Sequence, residues 1–176
     1  MHQRSFARLR VRPRPANRSQ GWLNVGSLTI PVALGRTGIR ANKLEGDGST
    51  PRGEFRLLRL WFRADRHPRP RSSLPVQRIT RDLAWCEDPT DRRYNRPFRR
   101  RDGEPGDRLQ RGDNLYDFVI EISHNARPRI ARRGSAVFIH VARPGLAPTA
   151  GCVALPLPRL RQLLERIGSR TLISIG

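Results

Sequence analysis

A mostly β fold with one helix near the C-terminus is predicted by three features of this 176-residue chain. Apolar residues fall in short runs of about four to eight positions, the length of buried or half-buried strands. Fifteen glycines and fifteen prolines call for frequent turns. Apolar residues at helical spacing occur convincingly in a single stretch.

In chain order, TIPVAL (29–34), FRLLRLWF (55–62), YDFVIEI (116–122), VFIHVA (137–142) and TLISI (171–175) read as strands. After Cys152, the stretch VALPLPRLRQLLERIG sets Leu157, Leu160, Leu163, Leu164 and Ile167 on one helical face. Pro158 suits its first turn and Gly168 its stop. This places Cys152 just before a helix, where amides are free to stabilise a thiolate or an oxyanion. Length and an apolar content of 36% fit one core, not two. Residues 1–20, MHQRSFARLRVRPRPANRSQ, read as a basic disordered arm, and residues 21–176 as the domain. The segment 63–111 is rich in Arg, Pro and Asp. It reads as too polar for core and too long for an ordinary loop, hence as a lid or substrate-binding insert.

The charge is extreme: 35 basic against 15 acidic residues give +20, and Lys43 is the single lysine beside 34 arginines. Such a balance first suggests nucleic acid. Arginine spread from end to end, without interleaved aromatics, points instead to a coding preference or to anionic envelope polymers and carboxylate substrates, so no nucleic-acid partner is expected. The N-terminus lacks the apolar core of about 7–15 residues of a secretory signal, and no segment is apolar enough to span a membrane.

The chemistry concentrates between His140 and Cys152. The strand VFIHVA presents an imidazole, and the Pro- and Gly-containing loop RPGLAPTAG (143–151) returns the chain toward that strand, so thiol and imidazole can meet. A Cys–His pair is the minimum equipment for a thiolate nucleophile, although a buried Cys and a His beside apolar residues are also ordinary core residues. The other cysteine, Cys86, is expected to be a free thiol beside Trp85, because a disulfide would consume the nucleophile. No paired spacing of the zinc-site kind occurs, and neither metal nor cofactor is expected.

Several motifs in order carry more weight than the pair: GDGSTPRGEF (46–55), WCEDPTDRRYNRPF (85–98), LYDFVIEISHN (115–125), GSAVFIHVA (134–142) and TAGCVALP (149–156). Together they resemble the YkuD-type L,D-transpeptidase catalytic domain, in its small single-domain branch. The resemblance implies a β-sandwich-like domain and a cysteine acyl-transferase that joins peptidoglycan stem peptides, donor and acceptor, through a Cys152 thioester. It further implies orientation of His140 by the Val141 carbonyl, an oxyanion hole of the Gly151 and Cys152 amides, acylation by carbapenems, and residence in the envelope or periplasm. Thr149 and Arg143 flank the site as substrate-binding candidates; Trp85, Tyr94, Asn95, Arg96 and Asn125, from the shared motifs, are further ones. Asp47 and Gly48 read as turn-formers. The chain departs from the family's commoner signature at Ala150 and Ala154, where two side-chain roles are missing, and in the short spacing from His140 to Cys152. Two other readings stay open: an L,D-carboxypeptidase or other hydrolase on the same scaffold, and a non-catalytic basic module for nucleic acid or wall polymer.

Overall fold

The computed structural model describes residues 5–176. Its strands are β1 (Arg8–Arg14), β2 (Asn17–Val25), β3 (Leu28–Ala33), β4 (Ile39–Arg40), β5 (Thr50–Pro51), β6 (Gly53–Phe62) and β7 (Val76–Arg78). They continue as β8 (Leu83–Trp85), β9 (Pro97–Arg99), β10 (Asp107–Arg108), β11 (Phe118–Ile122), β12 (Phe138–Val141), β13 (Val153–Leu155) and β14 (Leu172–Ile175). One α-helix, α1 (Leu157–Leu164), follows β13, and a 3₁₀ turn spans Pro144–Leu146. The domain is thus mostly β with a single α-helix, as the sequence predicts.

The main sheet has nine strands in the order β11-β12-β13-β3-β2-β1-β14-β6-β7, and β6 also pairs with β11. That extra pairing closes the sheet on itself around one core. Leu57, Leu60 and Phe62 of β6, Phe118, Ile120 and Ile122 of β11, Ile139 and Val141 of β12, and Val153 and Leu155 of β13 all point into it. Leu160, Leu163, Leu164 and Ile167 of α1 and its exit join the same cluster.

The two-residue period of strands sends the alternate side chains to the opposite face. There Trp61, Val119, Phe138 and Cys152 meet Ile79, Leu83, Trp85 and Leu109 of the 63–111 segment in a second cluster. That segment is therefore not too polar for core. It builds a small sheet, β10-β8-β9, and its few apolar residues suffice because they dock on a face already apolar. The Trp85 ring meets Phe138 edge-on at 4.9 Å, a pair worth about 1 kcal/mol beyond its area. At the root of the segment, buried Asp117 accepts from Arg66 at 2.9 Å and pairs with His67 at 2.7 Å.

The N-terminal arm is corrected by the structure. Residues 1–4 of the expected disordered segment lie outside the described residues, but residues 8–14 form β1 and residues 17–20 open β2, joined by a turn. β1 pairs with β14 in parallel and with β2 antiparallel. In RLRVRPR, Leu9 and Val11 are buried and the arginines alternate outward. Two inward side chains in a charged run define the strand, and backbone pairing with β14 holds it.

Candidate active site

His140 and Cys152 come from neighbouring strands. β12 and β13 run parallel with Ile139 opposite Val153 and His140 opposite Ala154. Since Ile139 and Val153 face the main core, His140 and Cys152 share the other face, offset by about one side-chain repeat. Both are buried, each 7% exposed, and both line one cavity of about 330 Å³. The Phe138 N–H donates to Cys152 Sγ at 3.4 Å, and the thiol donates to the Ala136 carbonyl at 3.3 Å. His140 Nδ1 lies 2.8 Å from the Val141 carbonyl. A carbonyl can only accept, so the proton sits on Nδ1 and Nε2 keeps its lone pair for base work. The Tyr116 ring packs edge-on against the imidazole at 5.3 Å.

Burial sets the resting charge state. Desolvation pushes the Cys152 thiol up to about 12, only partly offset by the Phe138 N–H. It drives His140 down to about 4, against the opposing bond to Val141. The resting pair is neutral thiol and neutral imidazole. The expectation of a helix behind the cysteine fails, because β13 separates Cys152 from α1 and a helix dipole acts only over its first turn. Cys152 is accordingly expected to label slowly with iodoacetamide at pH 7, with a rate that rises about tenfold per pH unit up to pH 10. For His140 the folded-state pKa is the lower one, so the unfolded chain binds the extra proton. Stability is complete above pH 6.5 and falls as pH drops toward 4, by up to about 3 kcal/mol. Denaturant titrations at pH 7 and pH 4.5 on the wild type and His140→Gln should show this slope weakened in the variant.

Thr149 and Gly151 shape the turn that delivers the thiol. The Thr149 hydroxyl donates to the Cys152 carbonyl at 2.7 Å and accepts the Gly151 N–H at 3.1 Å. Thr149 thereby builds the turn while lining the same cavity, and the Gly151 amide is already engaged, which leaves the Cys152 amide of the expected oxyanion hole outside this hydrogen bond. Gly151 adopts φ +147°, and a Cβ there would meet the Ser49 carbonyl oxygen at 2.7 Å. Only glycine fits so tight an approach.

The remaining walls carry both signs of charge. Lys43, Arg111 and Arg143 line the cavity together with Glu45, Glu87 and Asp107. The Tyr116 hydroxyl donates to Asp107 at 2.9 Å. Glu87 lines the cavity as an exposed residue, and desolvation with repulsion from Asp107 and Glu45 pushes its carboxyl up to about 7. Six of these seven lining residues escaped the sequence reading. Glu87 and Tyr116 lie inside quoted motifs, but nothing local distinguished them from Tyr94 or Asn95.

The other motif residues lie apart from this cavity. Asn95 is buried at φ +54°. Its Oδ1 accepts the Trp85 indole N–H at 2.9 Å and the Ala136 N–H at 3.2 Å, and its Nδ2 donates to the His124 and Asn125 carbonyls. Trp85 thus braces the floor under Phe138. Asn125 bonds Ile130 and Gly134 to clamp its own loop. The buried Tyr94 hydroxyl donates to Glu45, and exposed Arg96 lines a separate groove with Arg92 and Arg129. None of these five lines the cavity that holds Cys152 and His140, whereas Arg143 does, and it is exposed. Asn95→Ala strands several buried donors and acceptors and should cost about 3 kcal/mol in denaturant unfolding. Cys86 is free and buried, with its thiol raised by desolvation.

Among the described residues, no group of three or more His, Cys, Asp or Glu is placed to hold a metal ion, and no helix is long and apolar enough to cross a membrane. No curated protein sequence matches the chain. An L,D-transpeptidase of known structure from Mycobacterium tuberculosis H37Rv is similar at 10% identity and a TM-score of 0.43, over 96% of this chain and 57% of that one; the chain thus spans little more than half the length of that protein. The model of the YkuD family, the L,D-transpeptidase catalytic domain, matches residues 8–175, from the start of β1 to the end of β14. The chain belongs to the YkuD L,D-transpeptidase catalytic domain family.

Proposed function

We propose that the protein is a peptidoglycan L,D-transpeptidase that works by two-step acyl transfer. The observation that carries this reading is the neutral Cys152–His140 pair in one cavity, the imidazole held by Val141 with Nε2 free, within a chain of the YkuD family.

In the first step, Nε2 of His140 takes the thiol proton as Sγ of Cys152 attacks the carbonyl of an amide between an L- and a D-configured residue. The C–N bond breaks, the proton passes to the departing amine, and a D-amino acid leaves a thioester on Cys152. In the second step, the amine of an acceptor stem attacks the thioester and the thiol is regenerated. A neutral resting pair suits this course, because charge need appear only as the proton moves. The mixed lining supports it too, since stem peptides bear both carboxylates and ammonium groups, and a planar guanidinium binds a carboxylate bidentately. On this reading the protein works in the cell envelope and a carbapenem acylates Cys152.

Purified muropeptides incubated with the protein should yield cross-linked products in mass spectrometry. Trimmed stems without cross-links would reassign it to the hydrolases, and no change in any muropeptide would refute the reading. Arg143→Ala should lower kcat/KM about tenfold, the size of one charge-assisted contact. Arg96→Ala, in its separate groove, should leave kcat/KM unchanged in the same assay.

A further inference from the structure

In a chain where arginine has displaced lysine everywhere else, the single lysine, Lys43, stands beside the nucleophile. It is 6% exposed and lines the cavity that holds Cys152. Its stem runs through a slot between two glycines. A Cβ on Gly134 would meet Lys43 Cε at 2.9 Å and Cγ at 3.1 Å, and one on Gly151 would meet Nζ at 3.3 Å. Both glycines have positive φ, +94° and +147°, so neither place readily takes another residue. The slot suits a slender alkyl stem with a compact ammonium, whereas a guanidinium fork is wider and planar.

Two of the three ammonium donors are engaged, by Asp47 Oδ1 at 2.8 Å and by the Leu44 carbonyl at 3.2 Å. The third finds no acceptor among the described residues. Asp47 in turn divides its carboxylate among Lys43, the Leu44 and Ser49 N–H groups and the Ser49 hydroxyl. The aspartate therefore fixes the ammonium in place while sharing its own charge with three other donors. On the far side of the Lys43 stem is the Gly151–Cys152 turn, where the Gly151 amide is given to Thr149. A carbonyl attacked by Cys152 gains negative charge in a place short of one backbone donor.

We propose that Lys43 is a catalytic residue, its ammonium stabilising the negative charge that develops on Cys152 sulfur and on the carbonyl oxygen it attacks. The inference rests on the acyl-transfer reading above. The electrostatics agree in sign: among the charges around the Cys152 thiol, Lys43 favours the thiolate while Asp107 and Glu87 oppose it.

The test uses the full chain with Cys86→Ala, so that only Cys152 reacts. Iodoacetamide alkylation is followed from pH 7 to 10, and kcat and KM are measured on muropeptides. Lys43→Met keeps the stem and loses the charge; Lys43→Gln keeps a donor for Asp47 and also loses the charge. Both should slow alkylation about tenfold at each pH. Both should also lower kcat about 10²-fold, the size found for one oxyanion donor, with KM moved less than threefold. Ser49→Ala keeps both partners of the Lys43–Asp47 pair and removes only the Ser49 hydroxyl's bond to Asp47, which loosens the loop, and should stay within about fivefold of the parent in both assays. The proposal is overturned if either folded lysine variant keeps the parent alkylation profile and kcat, or if Ser49→Ala is as damaging as they are, since Lys43 then only holds the loop. Should the parent act on no muropeptide while both lysine variants still slow alkylation, the coupling of Lys43 to Cys152 stands and the reaction assignment falls.

Discussion

Cys152→Ala is expected to abolish turnover of muropeptides, a loss of about 10⁴-fold or more, because among the described residues no other thiol lines the cavity that holds His140. The protein should remain folded. Position 152 lies on the second apolar cluster, where a methyl replaces a thiol in the same extended backbone, and the lost contacts are one weak N–H···S bond and one S–H···O bond. A stability cost of about 1 kcal/mol is the appropriate size. Cys86→Ala is the matched control: it too removes a buried thiol, but one outside the cavity, so it should show a similar stability cost with kcat/KM retained. Thermal melts and product quantification on the two variants separate chemistry from folding. Equal activity losses in both would mean that the cysteines matter for packing alone.

Gly151→Ala should damage both stability and catalysis. The backbone at φ +147° is strained for any side chain, by about 1–3 kcal/mol, and the new methyl would press on the Ser49 carbonyl oxygen at 2.7 Å. The neighbour cannot yield easily. Ser49 is fully buried, its N–H and hydroxyl bonded to Asp47. The turn must therefore shift, and the thiol with it, at a total cost of about 3 kcal/mol and a fall in kcat/KM of about 10²-fold, the effect of displacing a reacting group by about 1 Å. Unchanged midpoints in denaturant and unchanged kcat/KM would show that the loop is slack and that the glycine is not required.

The contrast between these residues explains what was legible in the sequence. His140, Cys152 and Gly151 sit within thirteen residues, on a strand and the loop leaving it, so local order already places them together. Five of the strands that form the main core, β3, β6, β11, β12 and β14, announced themselves through apolar runs such as FVIEI and VFIHV. β1, β2 and β13 did not, because their inward residues are few, as Leu9 and Val11 are among the arginines of β1, and their partners lie elsewhere in the chain, as β14 does for β1 and β3 for β13. The polar half of the cavity was hidden for the same reason. Lys43, Glu87, Asp107 and Tyr116 come from four separate segments, and only the docking of residues 63–111 onto the Trp61, Val119 and Phe138 face brings them to one wall. Asn95 and Asn125 misled in the other direction: a polar residue in a shared motif suggests substrate contact, whereas here Asn95 satisfies buried backbone groups and Asn125 ties Ile130 and Gly134 into its own loop.

The most direct test of the account is intact-mass spectrometry of the protein mixed with a tetrapeptide donor stem and no acceptor amine. One adduct is expected, its mass that of the donor less the departed D-amino acid, located at Cys152 by peptide mapping, discharged by an added acceptor amine, and absent from Cys152→Ala. A folded wild-type protein that converts the stem without any adduct at Cys152, or a Cys152→Ala variant that converts it at the wild-type rate, would contradict the thioester mechanism.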